Sequence, residues 1–115
     1  MTSTATQVRY FATRDSATAW RDEDRAMAHA TIYSGDSLDE AREALKAYLL
    51  REAGHLMEGR SVTKPGDLWA IKRAAGLADL AQNVGELDPS DNPGSHKTVS
   101  REVEGLIWAI TRTER

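Results

Sequence analysis

The chain has 115 residues, a formal net charge of −3, and a composition that is 40% hydrophobic and 29% charged, which is typical of one ordinary globular domain. It contains no cysteine, which excludes disulfides and thiolate chemistry, and no apolar run approaches the roughly 18 residues that a membrane span requires. The negative net charge excludes a protein that coats nucleic acid indiscriminately, although it allows a local basic surface. We therefore expect a cytoplasmic protein without a membrane partner.

The chain begins with a polar segment, residues 1–6, which we expect to be a disordered tail without the features of a signal peptide. Val8–Ala12 then alternates apolar and polar residues, a pattern that predicts a β-strand. Arg14–Ser16 has the composition of a turn, so we expect the strand to end there.

The next segment, residues 16–30, has two interpretations. In the first, a strand at Thr18–Arg21 leads through an acidic turn into another strand at Met27–Tyr33, which completes a small antiparallel sheet. In the second, Ser16–His29 forms a helix whose first residue is its N-cap. Both leave Thr31–Tyr33 as β-prone chain, and the first is favoured slightly.

A long amphipathic helix is predicted over Ser37–Ala53. Ser37 and Glu40 have the S-x-x-E spacing of a capping box, and Gly54 is a suitable C-terminal stop. Apolar residues recur at helical spacing along one face, which we expect to pack on the sheet. They are Leu38, Ala41, Leu45, Tyr48 and Leu49.

The C-terminal half is predicted to be helical. After a connection at Glu58–Gly66 with room for one short strand, a second helix should run from an N-cap at Asp67 to Asn83. A loop over residues 86–97 separates it from a last helix that starts near Ser100. The residues that this helix should bury are Val103, Leu106, Ile107 and Ile110. The expected fold is therefore α+β, with a sheet and long helix in residues 7–65 and a helical pair in residues 66–115.

Catalytic and metal-binding motifs are weak throughout. Glu52 and His55 have the E-x-x-H spacing of di-iron bundles, but such sites need two copies and the chain has one. The carboxylate run Asp22–Asp24 lacks companion ligands, and His29 and His96 lie in unrelated segments. The three tryptophans lie in apolar patterns and are expected to anchor the core; they are Trp20, Trp69 and Trp108. We expect no enzyme activity, no metal and no cofactor.

The N-terminal half resembles the HicB-type antitoxin family. The residues that carry the resemblance are Tyr10-Phe11 in the first strand, Trp20 in the second, the G-D-S-L-D-E-A turn at Gly35–Ala41, and the tail Glu58-Gly59…Val62…Pro65. The resemblance implies a sheet-and-helix core that binds a small RNase toxin, performs no reaction itself and is often followed by a DNA-binding segment.

Two pieces of the C-terminal half resemble a helix-turn-helix. Gly76–Gly85 is similar to its first helix and turn, and Thr98–Val103 is similar to the start of a recognition helix. Residues 86–97 are longer than the usual 3–4-residue turn, so a helical hairpin with ordinary caps is an equal alternative. The candidate DNA-binding residues are Arg101, Ser100, Thr98, Lys72, Arg73 and Lys64. We expect Arg101 to read bases and Lys72 and Arg73 to contact phosphates.

These patterns leave three hypotheses for function. The first is a non-catalytic, antitoxin-like regulator that binds a protein partner and, through the candidates above, DNA. The second is a small accessory or inhibitor protein, of the kind that mobile elements carry, which acts only by protein–protein contact. The third is an enzyme, which the absence of a motif disfavours. A short sheet with open edges also predicts a homodimer.

Overall fold

The protein is a four-stranded antiparallel sheet with two helices packed on one of its faces, as seen in a computed structural model that describes residues 7–16, 30–89, 96–103 and 105–114. The strands are β1 (Val8–Ser16), β2 (Ala30–Gly35), β3 (His96–Val103) and β4 (Leu106–Glu114). The helices are α1 (Leu38–Met57) and α2 (Leu68–Gln82), and short 3₁₀ turns lie at Pro65–Asp67 and Val84–Glu86.

The sheet joins the two ends of the chain, with the strand order β2-β1-β4-β3. Ala12 of β1 lies opposite Tyr33 on one side and Ile110 on the other, and a bulge follows it in the pairing with β2. Side chains on alternate strand positions face the helices, so Ala12, Trp108 and Ile110 share the core with both helices. The helices contribute Leu45, Leu49, Ala74, Leu77 and Ala81 to this core.

The start of α1 is confirmed at Ser37, whose Oγ accepts a hydrogen bond from the Glu40 amide at 3.1 Å. The reciprocal half of the capping box has a different form. The Tyr33 hydroxyl accepts from the Ser37 amide at 3.3 Å and donates to Glu40 Oε2 at 3.0 Å. A Cβ at position 35 would lie only 2.3 Å from that hydroxyl, so Gly35 allows Tyr33 to reach the helix N-terminus.

The expected end of α1 at Gly54 is wrong, because the helix continues to Met57 and the left-handed residue after it is Gly59, with a φ of 67°. Ala53 and Leu56 both contact the core, and their packing favours the extra turn over a stop at Gly54. The connection that follows contains a 3₁₀ turn and, within its described residues, no strand.

The turn expected at Arg14–Ser16 is also wrong, because β1 continues to Ser16 and pairs there with Leu106 of β4. Pairing on both sides of β1 outweighs the local turn preference of these residues. The expected strand around Thr31–Tyr33 is confirmed as part of β2. Residues 1–6 and 17–29 lie outside the described residues. The two interpretations of residues 16–30, as strands or as a helix, therefore concern a segment that is mostly outside them.

The predicted last helix of the C-terminal helical pair is wrong, because this part of the chain forms strands. Residues 96–103 and 106–114 form a β-hairpin, and Gly105 in its turn has a φ of 85°. The apolar residues Val103, Leu106 and Ile110 fit a helical spacing, but Leu106, Trp108 and Ile110 fit the two-residue spacing of a strand equally well. Pairing of β4 with β1 along its whole length decides between them, because a buried central strand satisfies its backbone on both sides.

The second predicted helix is confirmed as α2, and it passes through Gly76 without a break. A Cβ at Gly76 would lie 2.7 Å from Val103 Cγ1, so the glycine permits close approach of β3. Asp67 occupies the N-cap position, but its side chain makes no capping hydrogen bond and accepts instead from the Ser61 amide at 3.1 Å.

Candidate functional site

An apolar groove lies between the two helices. It has a volume of about 370 Å³ and is lined almost entirely by apolar atoms. The helix α1 contributes Ala53, Gly54 and Met57, and α2 contributes Ile71, Ala74, Ala75 and Ala78. The floor is shallow because most of these side chains are small. An inserted apolar side chain from outside would therefore find surface to contact on both walls.

Large hydrophobic side chains are exposed on the two helices and the connection between them. Among the described residues, the exposed ones are Leu50, Met57, Val62, Leu68 and Trp69, so all fall within residues 50–69. Met57 lines the groove, and Leu50 and Leu68 each lie about one helical turn from a lining residue, so these three extend the apolar rim. Trp69 is 53% exposed and lies on the other side of α2, since no lining residue is three or four positions away from it. Scattered exposed leucines are ordinary, whereas a contiguous apolar set such as the groove and its rim marks an interaction surface.

Trp69 is also the centre of a cationic cluster. The guanidinium of Arg60 lies 4.9 Å from the centre of its ring, and that of Arg73 lies 5.7 Å from it. Asp67 holds Arg60 in place through a 3.4 Å contact with Nη1. We call Arg60, Asp67, Trp69 and Arg73 the Arg–Trp cluster. Tryptophan and arginine are the residue types most enriched at the energetic centres of protein interfaces.

The structure separates the six candidate DNA-binding residues into two groups. Lys64, Lys72 and Arg73 belong to the start of α2 and the connection before it. Lys72 lies one helical turn from the lining residue Ala75, whereas Arg73 contacts Trp69 on the other side of α2. Thr98, Ser100 and Arg101 lie on β3, so the recognition helix expected there does not form.

The side chains around the candidates on β3 do not favour contact with a phosphate. Thr98 is paired with Thr111 through their hydroxyls at 2.9 Å. Arg101 Nη2 lies 3.1 Å from Glu86 Oε2, in a polar pocket of about 400 Å³ that Asp79 and Glu102 also line. Three carboxylates around one guanidinium oppose the approach of a phosphate.

The residues of the E-x-x-H motif have separate partners. Glu52 Oε1 lies 3.8 Å from Arg14 Nη1, and His55 Nδ1 lies 3.4 Å from Glu58 Oε1. Arg14 also donates to the Tyr48 hydroxyl at 3.1 Å, and burial raises the pKa of Tyr48 while Arg14 opposes that shift. Within the described part of the chain, no three histidine or carboxylate side chains are grouped to hold a metal ion.

The prediction that Trp69 anchors the core is wrong, because its side chain is exposed. Trp108 is fully buried and contacts Tyr48 at a ring separation of 5.7 Å, as expected of a core anchor. The buried stripe of α2 is instead made mostly of alanines, at Ala70, Ala74 and Ala81 with Leu77. Trp69 lies beside this stripe and not in it. The helical spacing of the small residues is the sequence signal that could have identified Trp69 as an exposed residue.

The chain matches no family model, no curated protein and no solved structure. In the part of the chain that the structure describes, no helix has the length and apolar character to cross a membrane. Function is therefore inferred from the groove and the residues around it.

Proposed function

We propose that this protein is a non-catalytic binding protein that holds a protein partner in the groove between α1 and α2. The observation that carries the proposal is one apolar groove whose rim is extended by the exposed side chains of Leu50, Met57 and Leu68, with no described residue covering it. Water ordered against this surface is released when a partner covers it, which contributes roughly 25 cal/mol for each Å² of apolar area removed from water.

An antitoxin-like regulatory role is the form of this function that we favour. Its support is that β1, the Gly35–Ala41 turn and α1 follow one another in the order that the HicB-type resemblance implies, while the second strand expected at Trp20 lies outside the described residues. The same turn has a structural role of its own in capping α1, so the support is partial. The alternative is an accessory or inhibitor protein that acts by protein–protein contact alone, and the pairing of Arg101 with Glu86 favours it.

The proposal is tested by a charge placed in the groove. Ala75 is exposed and lines the groove, so Ala75→Glu should leave the core intact while forcing a carboxylate against the partner. Ser34→Glu adds the same charge on the sheet face turned away from the helices, where Arg9 already contacts Ser34 at 3.1 Å.

Each tagged variant is expressed in the organism that encodes the chain, and co-purifying proteins are identified by mass spectrometry. We expect one partner to be retained by the parent and by Ser34→Glu, and to be depleted more than about tenfold by Ala75→Glu. A partner that Ala75→Glu retains fully would show that the groove is not the binding surface.

A mobility-shift assay on the DNA upstream of the gene separates the two forms of the function. A shift at low salt that weakens steeply as salt rises would support the regulator, because phosphate contacts release counterions. The absence of any shift at low salt would support the accessory or inhibitor protein.

A further inference from the structure

We infer that a second copy of this chain pairs with the edge strand β3, so that the sheet continues across a two-fold axis and Lys97 of each copy enters a polar pocket of the other. The pocket is the one that holds the Arg101–Glu86 pair, and we call it the Arg101 pocket. The inference is independent of the groove between α1 and α2, because that groove and the Arg101 pocket are lined by different residues of α2.

Of the two edge strands in the described sheet, β3 is the one better suited to pairing with another chain. It pairs with β4 over its whole length of eight residues without a bulge, and it contains no proline. In contrast, β2 has six residues and a bulge in its pairing with β1. Short strands and bulges keep sheet edges from pairing with other chains, and β3 has neither feature.

The charges along β3 exclude two registers for antiparallel pairing with a second β3. Residues directly opposite each other share a face of the sheet, so the two-fold axis passes through a residue. An axis at Val99 would place Lys97 opposite Arg101 twice, and an axis at Arg101 would place that side chain opposite itself. Like charges directly opposite each other are destabilising, so neither register is favoured.

An axis at Ser100 avoids these contacts and still pairs most of the strand. It places Lys97 of one copy opposite Val103 of the other, and Thr98 opposite Glu102. Val103 packs against the core, so Val103 and the residue opposite it lie on the face of the sheet that the helices cover. Lys97 of the second copy therefore projects beside Val103, towards α2.

The Arg101 pocket lies at this point and has an excess of negative charge. Val103 lines it, together with three acidic residues, Asp79, Glu86 and Glu102, and one cationic residue, Arg101. Glu86 already contacts the guanidinium at 3.1 Å, and Asp79 is exposed on the α2 side of the pocket. An ammonium group that enters beside Val103 thus meets opposite charge, and the two-fold axis forms the same contact twice.

Sedimentation equilibrium of the full chain measures the dissociation constant of the dimer. Lys97→Glu should raise this constant at least about tenfold, because a carboxylate then meets the acids of the pocket. Asp79→Lys should raise it by a similar factor, and the combined variant should return to within about threefold of the parent, because the two charges are exchanged. Lys46→Glu makes the same substitution on α1, which packs over β1 and β2, and should leave the constant unchanged.

Single cysteines test the strand and the register, since the chain has no cysteine of its own. An axis at Ser100 places this residue opposite itself at a Cα separation of about 4.5–5.5 Å, which a disulfide can span. The strands pair through backbone groups, so Ser100→Cys should leave the dimer intact and form a covalent dimer under mild oxidation. Thr98→Cys, two residues from the axis, and Ser34→Cys, on the other edge strand, should cross-link several-fold more slowly.

Circular dichroism checks that each variant is folded. A monomer at every concentration would overturn the inference, and so would faster cross-linking of Ser34→Cys than of Ser100→Cys, which would assign the interface to β2. Faster cross-linking of Thr98→Cys would overturn the register. If Lys97→Glu dimerises as the parent does, Lys97 does not occupy the pocket. The co-purification test of Ala75→Glu decides the proposed function separately, so the two failures are distinguishable.

Discussion

Replacement of Ser37 by alanine should lower the free energy of unfolding by about 1 kcal/mol, because α1 then loses the side-chain acceptor in its first turn. In the native protein Ser37 Oγ accepts from the Glu40 amide at 3.1 Å, and this amide has no acceptor within the helix. The site is exposed, so water replaces part of the lost hydrogen bond, which keeps the effect within the usual range of about 0.5–2 kcal/mol.

The same loss can be expressed as a melting temperature. At about 2.1 cal/mol/K for each residue, unfolding of a 115-residue chain has an entropy near 0.24 kcal/mol/K, so 1 kcal/mol corresponds to about 4 °C. Tyr33→Phe removes the hydroxyl that bridges the Ser37 amide and Glu40, and should cost a similar amount. Because the two side chains serve one helix terminus, we expect their effects to be non-additive by about 0.5 kcal/mol or more.

The free energy of unfolding would be measured by urea and thermal unfolding, followed by circular dichroism. The double-mutant cycle comprises the parent, Ser37→Ala, Tyr33→Phe and the double variant. Ser100→Ala is a suitable control, since Ser100 is exposed on β3 and caps no helix, and it should change stability by less than about 0.5 kcal/mol. If Ser37→Ala unfolds with the parent protein and the control, the hydrogen bond at Ser37 does not determine where α1 begins.

Three further predictions concern packing, pH and association. Gly76→Ala should destabilise the protein by about 1 kcal/mol in urea, because its Cβ would crowd Val103, and Val103→Ala should restore part of the loss. Since the pKa of Tyr48 is raised above 10.0 in the folded state, its contribution to stability should be lost as pH rises from 10 through the folded value, and Tyr48→Phe should show a smaller loss. β2 and β3 are the edge strands of the sheet that the described residues form, and edge strands of this kind predict a homodimer; a monomer mass at all concentrations in light scattering would contradict it.

Local signals were sufficient for the first half of the described fold. The capping residue Ser37 and a continuous apolar stripe identified α1 within a few residues, and the alternation at Val8–Ala12 identified β1. Signals of this kind depend only on neighbouring residues, so they can be interpreted without knowledge of the tertiary structure.

The C-terminal hairpin could not be predicted in the same way, because its apolar residues fit two periodicities. Only the pairing of β4 with β1, across about a hundred residues of sequence, selects the strand. Gly105, which has a positive φ in the turn, is the one local feature of this segment that favours a hairpin.

The groove could not be predicted from the sequence, because it depends on how α1 and α2 pack against each other. Its walls come from two helices whose relative rotation is set by small residues such as Ala74 and Ala53, and that rotation leaves Met57 exposed. A pattern along one helix indicates which face is apolar, but it does not indicate which part of that face the other helix covers. Lys64, Lys72 and Arg73 were predicted as DNA-binding candidates, and the structure adds the contact of Arg73 with Trp69.

The most direct test of the groove is an NMR titration of the ¹⁵N-labelled protein with the partner that co-purification identifies. We expect the amide resonances of residues 50–57 and 68–78 to shift, while those of residues 98–101 on β3 stay unchanged. Shifts confined to β3 and the neighbourhood of Arg101, with none at Ala53 or Ala75, would contradict the proposal that the groove binds the partner.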